Sequence, residues 1–264
     1  MRVRVKYSKQ GLMQFIGHLD MMRYFQKACR RAGIDVVYTE GLSPHMSMSF
    51  ALPLGVGMTS DSEYVDVDFV HEMSGKEIVD RLNRSVPEGI HFTDARQIPV
   101  GKAYKGMTLA ARADYTLKIN RSGEAASTAG SQAEDADTNE YLLPDPAAAE
   151  LWDEAWREDF ARWLDQSEIL VMKKGKKTEK EINIRPLIYD ARFEGDDLIL
   201  ALSAGLDRNI RPELVMQAFA QQTGREYRPF LFQINRDEVY ADCGKDGNHA
   251  FVSLIDLGEK MGTE

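Results

Sequence analysis

The sequence predicts an α+β protein made of two tandem ferredoxin-like (split βαβ) units, each an antiparallel sheet with its helices on one face. Three observations support this fold class. Apolar residues alternate along several short segments and recur at helical spacing along others. The order strand, helix, two or three strands, helix, strand occurs twice, and this is the order of the split βαβ motif. Right-handed crossovers then place both helices of a unit on the same face.

The first ferredoxin-like unit is predicted over residues 1–108. It begins with the alternating strand "RVRVKYS", followed by a helix with the apolar arc Leu19, Met22, Phe25, Cys29 and Ala32, which ends at Gly33. The strands "IDVVYTE" and "SEYVDVDFV" flank an uncharged stretch. A second helix starts at a capping box, in which a serine and a glutamate three residues later satisfy the first backbone N–H groups. These residues are Ser74 and Glu77, and the strand "IHFTDARQI" closes the unit.

The second ferredoxin-like unit is predicted over residues 109–242, before a C-terminal tail at 243–264. After the strand "ADYTLKI", the segment 121–145 is acidic and poor in large apolar residues, so we expect a flexible insertion. A long helix follows, and its aromatic stripe is typical of packing on a sheet: Trp152, Trp156, Phe160 and Trp163. Next come the strands "EILVMK", "KEINIRPLIYDARF" and "DLILALS", the last two joined by a turn at Gly195-Asp196. The final helix has Pro212 in its first turn and Gly224 past its end, and the strand "PFLFQINRDEVYA" follows it.

Several classes of protein are excluded by what the sequence lacks. It has no run of about eighteen apolar residues, so no membrane partner is expected. Its start lacks the apolar segment of a secretory signal, and Cys29 and Cys243 make neither a zinc pair nor a disulfide framework, so we expect a reduced, cytoplasmic setting. Phosphate-binding and nucleophile-elbow motifs are missing, and Gly55-Val-Gly57 is too short for a dinucleotide fingerprint. We therefore expect no cofactor and no metal.

The charge of the chain is polarised along the sequence. The net charge is −9, but residues 121–168 alone hold 13 acidic and 3 basic residues, a net of −10. Residues 1–31 hold 8 basic and 1 acidic residues, a net of +7. Two basic segments in an otherwise acidic chain favour an anionic partner, for which we expect RNA because tandem ferredoxin-like units commonly bind it.

The candidate RNA-binding residues lie on a helix and a hairpin. The first helix carries a face of one charge sign next to a basic first strand, which fits phosphate contacts, although a solvated helix face is the simpler interpretation. The stretch "KKGKKTEKEINIR" is predicted to form a hairpin with a basic tip, for which the simpler interpretation is a sheet edge protected by lysines. The candidates are Arg23, Lys27, Arg30, Arg31, Lys173, Lys174, Lys176, Lys177 and Arg185.

Two histidines are candidate catalytic residues. His18 starts the first helix and His45 follows Ser43-Pro44, and the predicted sheet could bring them together. A histidine can act as a general base in RNA cleavage. A lone histidine is more often a local hydrogen-bonding residue than a catalyst.

The uncharged stretch from Gly41 to Met58 is the candidate partner or ligand surface. Along "HMSMSFAL" the large residues Met46, Met48, Phe50 and Leu52 alternate with small ones, so the large side is expected in the core. The small side and the nearby glycines allow close approach of a partner, although an edge hairpin under a loop has the same pattern. The candidate residues are Ser43, His45, Ser47, Ser49, Gly55 and Gly57.

The segment from Phe15 to Phe69 resembles the radical-SAM-linked family, a bacterial domain of unknown function. Members are fused to, or encoded beside, a B12-binding-type radical SAM protein. The resemblance rests on Gly-His-Leu-Asp at 17–20, Ser-Pro-His at 43–45 and Leu-Pro-Leu-Gly-Val-Gly at 52–57, with a weaker match at 180–188. It implies a radical SAM protein as partner and, from the company these genes keep, a link to RNA or ribosome modification. Two cysteines are too few for the partner's iron–sulfur cluster, so this chain would not hold one itself.

Three hypotheses for function follow. We favour a non-catalytic RNA-binding or substrate-presenting accessory protein that works with a radical SAM protein. One alternative is a metal-independent ribonuclease that uses His18 or His45 as general base. The other is a pure protein-interaction module that docks through the uncharged stretch.

Overall fold

The computed structural model describes residues 1–119, 153–174, 179–206, 208–225, 227 and 231–262. The protein is a mixed α+β structure with a large, mostly antiparallel sheet and few helices. Internal contacts divide it into two compact units. The first contains Met1–Asp114, Ala204–Arg208 and Asn235–Glu264, and the second contains Tyr115–Ser203 and Asn209–Ile234. The insertion predicted at 121–145 lies outside the described residues.

The described elements run as follows along the chain. The helices are α1 (His18–Arg31), α2 (Gly75–Asn83), α3 (Gly106–Leu109), α4 (Glu154–Leu164) and α5 (Pro212–Thr223). Short 3-10 turns occupy Gly11–Phe15, Lys102–Tyr104, Arg185–Leu187 and Leu254–Leu257. The strands are β1 (Arg2–Lys9), β2 (Met48–Phe50), β3 (Thr59–Asp68), β4 (Ile90–Gln97), β5 (Ala110–Ile119), β6 (Leu170–Lys174), β7 (Glu179–Asn183), β8 (Ile188–Glu194), β9 (Asp197–Ser203), β10 (Phe232–Asp242), β11 (Phe251–Ser253) and β12 (Glu259–Lys260).

The sheet of the first unit has the strand order β4–β1–β3–β2, and each of these pairs is antiparallel. β10 then joins β3 in parallel, with Asn235 opposite Thr59. β11 pairs with β10 and β12 pairs with β4. Residues 243–264, the predicted C-terminal tail, therefore contribute two short strands to this unit.

The core of the first unit lies between its sheet and both of its longer helices. Val3, Val5 and Tyr7 alternate along β1 and pack with Phe25 of α1 and Ile78 of α2. α1 ends as expected, because Gly33 has a φ of +63°, which favours glycine. Leu19 departs from the predicted apolar arc: it lies in the first turn of α1 and is 63% exposed, and Met21 is buried in its place.

The second unit buries the aromatic stripe of α4. Trp156, Phe160 and Trp163 pack around Phe219 of α5 at ring distances of 4.7, 5.2 and 5.6 Å, which confirms the predicted core stripe for these residues. Trp152 lies outside the described residues. β8 and β9 form the hairpin expected around Gly195-Asp196. α5 has Pro212 at its first position and ends at Gly224, whose φ is +73°.

Two predicted strands are interrupted. "KEINIRPLIYDARF" breaks at Arg185–Leu187 into β7 and β8, because Pro186 has no N–H to donate to a ladder. The segment "IDVVYTE" forms only isolated bridges, from Val36 to Phe69 and from Tyr38 to Met46.

Candidate functional site

Two pockets lie in the first unit, and both include residues that the sequence marked. The larger, of about 90 Å³, lies beside β2 and is called the β2 pocket. The smaller, of about 10 Å³, lies beside the start of α1 and is called the α1 pocket. The α1 pocket is at the lower limit of the space that one water molecule needs, whereas the β2 pocket is several times larger.

The β2 pocket is built on the small-residue side of the uncharged stretch. His45, Ser47 and Ser49 line it, together with Thr39 from the preceding bridge segment. The ring Nδ1 of His45 lies 3.0 Å from Thr39 Oγ1 and 3.3 Å from the carbonyl oxygen of Ser43. Three of the predicted partner-surface residues therefore line one pocket, and Ser43 holds the ring of one of them.

Two carboxylates at the floor of the β2 pocket are bound by arginines of β1. Arg2 donates two hydrogen bonds to Asp68, at 2.7 and 2.8 Å, and Ser47 Oγ adds a third. Although partial burial works against it, these hydrogen bonds hold the pKa of Asp68 below its ordinary value. Two residues along the same two strands, Arg4 binds Asp66 in the same two-pronged way, and the amide of Gly106 donates to Asp66 at 2.7 Å.

Lys105 is the remaining charged residue in the lining of the β2 pocket. Among the described residues no carboxylate lies within ion-pair distance of its amine. Lys105 directly precedes α3, and the two arginines of β1 hold this segment in place. Arg4 donates to the carbonyl oxygen of Tyr104 at 2.8 Å, and Arg2 donates to that of Gly101 at 3.4 Å.

The α1 pocket combines two of the segments that carry the family resemblance, because Ile16 and His18 meet Pro53 and Leu54 there. The ring of His18 contacts that of Phe50 edge-on, at 5.3 Å. The pocket is therefore lined largely by apolar groups, with a few titratable ones.

Three titratable residues of the α1 pocket are buried: Tyr7, Lys9 and Glu63. Burial lowers the pKa of Lys9 and raises the pKa of Tyr7 well above its ordinary value. Lys9 Nζ donates to the carbonyl oxygens of Ile16, at 2.9 Å, and Gln14, at 3.4 Å. Lys9 therefore anchors the turn before α1 and is not a mobile cation.

The two candidate catalytic histidines line different pockets. His18 belongs to the α1 pocket and His45 to the β2 pocket. Each pocket contains one histidine and one lysine. The lysine in the pocket of His18 is Lys9, which donates its hydrogen bonds to backbone carbonyl oxygens. Of the two histidines, only His45 thus shares a pocket with a lysine that has no described partner.

The predicted basic face of α1 lies on the surface. Arg23, Lys27, Arg30 and Arg31 are all exposed. Arg23 pairs with Asp20 at 3.2 Å, and this is the one carboxylate within ion-pair distance of the four among the described residues. Arg30 donates to the hydroxyl of Tyr38 at 3.2 Å, and Arg31 donates to the carbonyl oxygen of Ser85 at 3.0 Å.

The basic first strand cannot supplement this face. Arg2, Arg4 and Lys6 are paired with Asp68, Asp66 and Glu238. The charges of these three cations are therefore neutralised inside the first unit.

The predicted basic hairpin exists as the pair β6–β7, with Lys173 opposite Lys180. Lys173 and Lys174 are in β6, whereas Lys176 and Lys177 lie outside the described residues. Arg185 is used inside the second unit, because it donates to the carbonyl oxygens of Leu164, at 2.7 Å, and Ile188, at 3.2 Å.

The two glycines of the candidate partner surface lie near the start of α1. Gly57 has a φ of +85° and its amide donates to the carbonyl oxygen of Gln14 at 3.0 Å. A Cβ at Gly55 would come within 3.0 Å of Met58 Sδ. Both glycines thus serve the packing of this loop, at some distance in sequence from the serines of the β2 pocket.

The described residues contain no group of three or more His, Cys, Asp or Glu side chains that could hold a metal ion. None of the helices within them has both the length and the apolar composition needed to cross a membrane.

The fold and the pockets thus define a mixed α+β protein with two small clefts in its first unit. The chain belongs to the family described as "uncharacterized protein conserved in bacteria (DUF2344)", whose model matches residues 2–212. This match includes every residue of both pockets and carries no link to radical SAM proteins. No curated protein matches the chain.

Proposed function

We propose that this protein binds RNA through the exposed face of α1. The observation that supports this most is the set Arg23, Lys27, Arg30 and Arg31, four exposed cations of which one has a carboxylate partner within the described residues. An exposed helix face with mixed charges would be neutral on average, whereas this one is free to neutralise phosphates.

Exposed aromatic rings near both ends of α1 support a single-stranded RNA. Phe15 lies three residues before the helix and is 46% exposed, and Tyr38, also 46% exposed, is hydrogen-bonded to Arg30. Unpaired bases stack on such rings while cations track the backbone. α1 has 14 residues and is therefore about 20 Å long, enough for a short stretch of nucleotides.

The choice of RNA over DNA rests on fold analogy. The strand order β4–β1–β3–β2 with antiparallel pairs supports a ferredoxin-like interpretation of the first unit, and the hairpin β8–β9 between α4 and α5 supports a second such unit. Both remain proposals, as does a role for Lys173, Lys174, Lys176 and Lys177.

The radical SAM partner is proposed from the sequence resemblance alone. An accessory role needs a docking surface, and exposed apolar residues occur within two of the resembling segments, at Leu19 and Val56. We place the docking surface there, next to the basic face, so that RNA bound on α1 would lie close to the partner.

A ribonuclease is the second candidate, because His45 and Lys105 line one pocket. It requires a labelled RNA to be cut by the wild-type protein and left intact by His45→Ala, with binding unchanged. Cleavage that persists in both His45→Ala and His18→Ala would contradict this candidate.

RNA binding is tested by fluorescence anisotropy with a labelled single-stranded RNA over a salt series. The variant Arg23→Gln, Lys27→Gln, Arg30→Gln should bind at least tenfold more weakly, and its salt dependence should be shallower by about 2 in log–log slope. The control removes three exposed lysines elsewhere in the first unit with the same change in charge: Lys102→Gln, Lys245→Gln, Lys260→Gln. Equal losses in both triple variants, or no binding at low salt, would sink the proposal.

A further inference from the structure

The charges around the β2 pocket do not cancel. Asp66 and Asp68 are each neutralised by one arginine, Arg4 and Arg2, through paired hydrogen bonds. Each carboxylate also accepts a third hydrogen bond, from Gly106 N and Ser47 Oγ respectively. Lys105 adds a positive charge, so the pocket and its supporting residues carry a net charge of +1 before His45 is counted.

The hydrogen-bonding groups of the lining also favour an anion. Thr39 Oγ1 accepts the backbone N–H of His45 at 3.1 Å, so its own hydrogen is available to the ring Nδ1 at 3.0 Å. In the tautomer that accepts this hydrogen at Nδ1, the ring proton lies on Nε2, and Nε2 can donate to a bound group. Within the part of the chain that the structure describes, Ser49 Oγ has only a weak acceptor, Met107 Sδ at 3.5 Å. Lys105, His45 and Ser49 thus offer donors to a bound group.

The backbone that carries these donors is held in place. A Cβ at Gly106 would come within 2.8 Å of Ala51 Cβ, so Lys105 sits on a segment packed directly against the end of β2. Arg4 ties the same segment down through Tyr104. Donors on a fixed frame lose little freedom on binding, which favours affinity for a small ligand.

We propose that the β2 pocket binds the phosphate group of a phosphate monoester. A pocket of about 90 Å³ has room for one tetrahedral oxyanion, and the rest of the ligand would extend outside it. Lys105 supplies the charge, and His45 and Ser49 supply directional hydrogen bonds. This site does not depend on RNA binding by α1, because its residues are different.

The test is a titration of the full-length protein with inorganic phosphate and with adenosine 5′-monophosphate, followed by amide NMR. Both should shift the resonances of residues 45–49 and 105–106. Lys105→Gln should weaken both affinities tenfold or more, and His45→Gln should weaken them to a smaller extent. The control Lys102→Gln removes an exposed lysine three residues away and should leave both affinities unchanged.

Two results would overturn the phosphate site. One is phosphate that binds with the same affinity to wild-type protein and to Lys105→Gln, with amide spectra showing that the variant is folded. The other is binding of methylammonium in place of phosphate, because then the carboxylates would dominate the pocket.

RNA oligonucleotides with and without a 5′-phosphate identify the source of the group. A preference for the phosphorylated oligonucleotide that Lys105→Gln abolishes supports a nucleic-acid end as ligand. Binding of the free nucleotide with no such preference supports a small metabolite. The α1 triple variant should change neither the preference for the phosphorylated oligonucleotide nor the affinity for the free nucleotide. Failure of RNA binding on α1 and failure of the phosphate site can therefore be distinguished.

Discussion

The guanidinium of Arg4 and the carboxylate of Asp66 form a two-pronged ion pair, at 2.8 and 3.1 Å, in which the side chains are 0% and 2% exposed. The remaining donor of Arg4, Nη1, binds the carbonyl oxygen of Leu254 at 2.9 Å. One buried cation therefore joins β1 to β3 and to the C-terminal segment. Loss of any of these partners leaves part of the Arg4 guanidinium buried without a hydrogen-bond acceptor and destabilises the fold.

Asp66→Asn should be strongly destabilising, because it leaves the charge of Arg4 buried without a counter-charge. We expect a loss of about 3–5 kcal/mol in the free energy of unfolding, measured by urea denaturation. Asp68→Asn is the matched control, since its pair with Arg2 is partly exposed, and it should cost less. Equal losses of unfolding free energy in the two variants would show that the burial of the Arg4–Asp66 pair does not set its contribution to stability.

Gly75→Ala should destabilise the protein even though alanine is the better helix former. A Cβ at this first residue of α2 would overlap the carbonyl oxygen of Ala95 in β4. To remove this overlap, α2 must shift relative to β4, which should lower the free energy of unfolding by about 1–3 kcal/mol. Urea denaturation measures it, with the exposed neighbour Lys76→Ala as control, for which we expect a change within about 0.5 kcal/mol. A Gly75→Ala protein as stable as wild type would contradict this close packing.

Asp242 should make stability depend on pH in the acid range. Hydrogen bonds from the amide of Ala250, from His249 and from the amide of Gly244 lower its pKa to about 2. Because the folded pKa lies below the unfolded value of about 3.9, the carboxylate stabilises the fold above that pH. This contribution is lost as the pH falls from about 4 to about 2.

The urea midpoints of wild type and Asp242→Asn measure this contribution. The wild-type advantage should be fully present near pH 5 and vanish near pH 2. An advantage that persists unchanged at pH 2 would refute the assignment to Asp242.

The two cysteines should differ sharply in reactivity. Cys243 is exposed, whereas Cys29 is buried and burial raises its pKa to about 11. At pH 8 a maleimide should add once to the native protein within minutes and twice after unfolding, as counted by intact mass spectrometry. Cys243→Ser should abolish the fast addition. Fast labelling of Cys29 in that variant would show that α1 opens from the sheet.

The local features were predictable because short-range chemistry decides them. The side chain of Ser74 accepts from the amide of Glu77 at 3.1 Å, as a capping box requires. Gly33 and Gly224 end their helices with positive φ. Alternation placed Met46 and Phe50 in the core and Ser47 and Ser49 in a pocket, although Ala51, expected on the open side, is buried against Gly106.

What the sequence could not reveal depends on contacts between distant residues. Nothing local distinguishes Arg4, buried on Asp66, from Arg23, exposed on α1, since both are arginines at regular spacing. The parallel pair of Asn235 with Thr59 joins strands 176 residues apart, and it also has no local signal. Lys105 was missed because a single lysine marks a site only once the fold brings Asp68 and His45 beside it.

The reach of Arg4 across 250 residues also sets an order of events during synthesis. At about 5–20 residues per second, the ribosome needs on the order of 10–50 s to proceed from Arg4 to Leu254. Until those residues are made, the first unit lacks β10, β11 and β12, and the first residues of β3 lack their partners Asn235 and Arg236. The nascent chain must therefore wait with a buried arginine of its oldest strand short of one partner, while the whole second unit emerges.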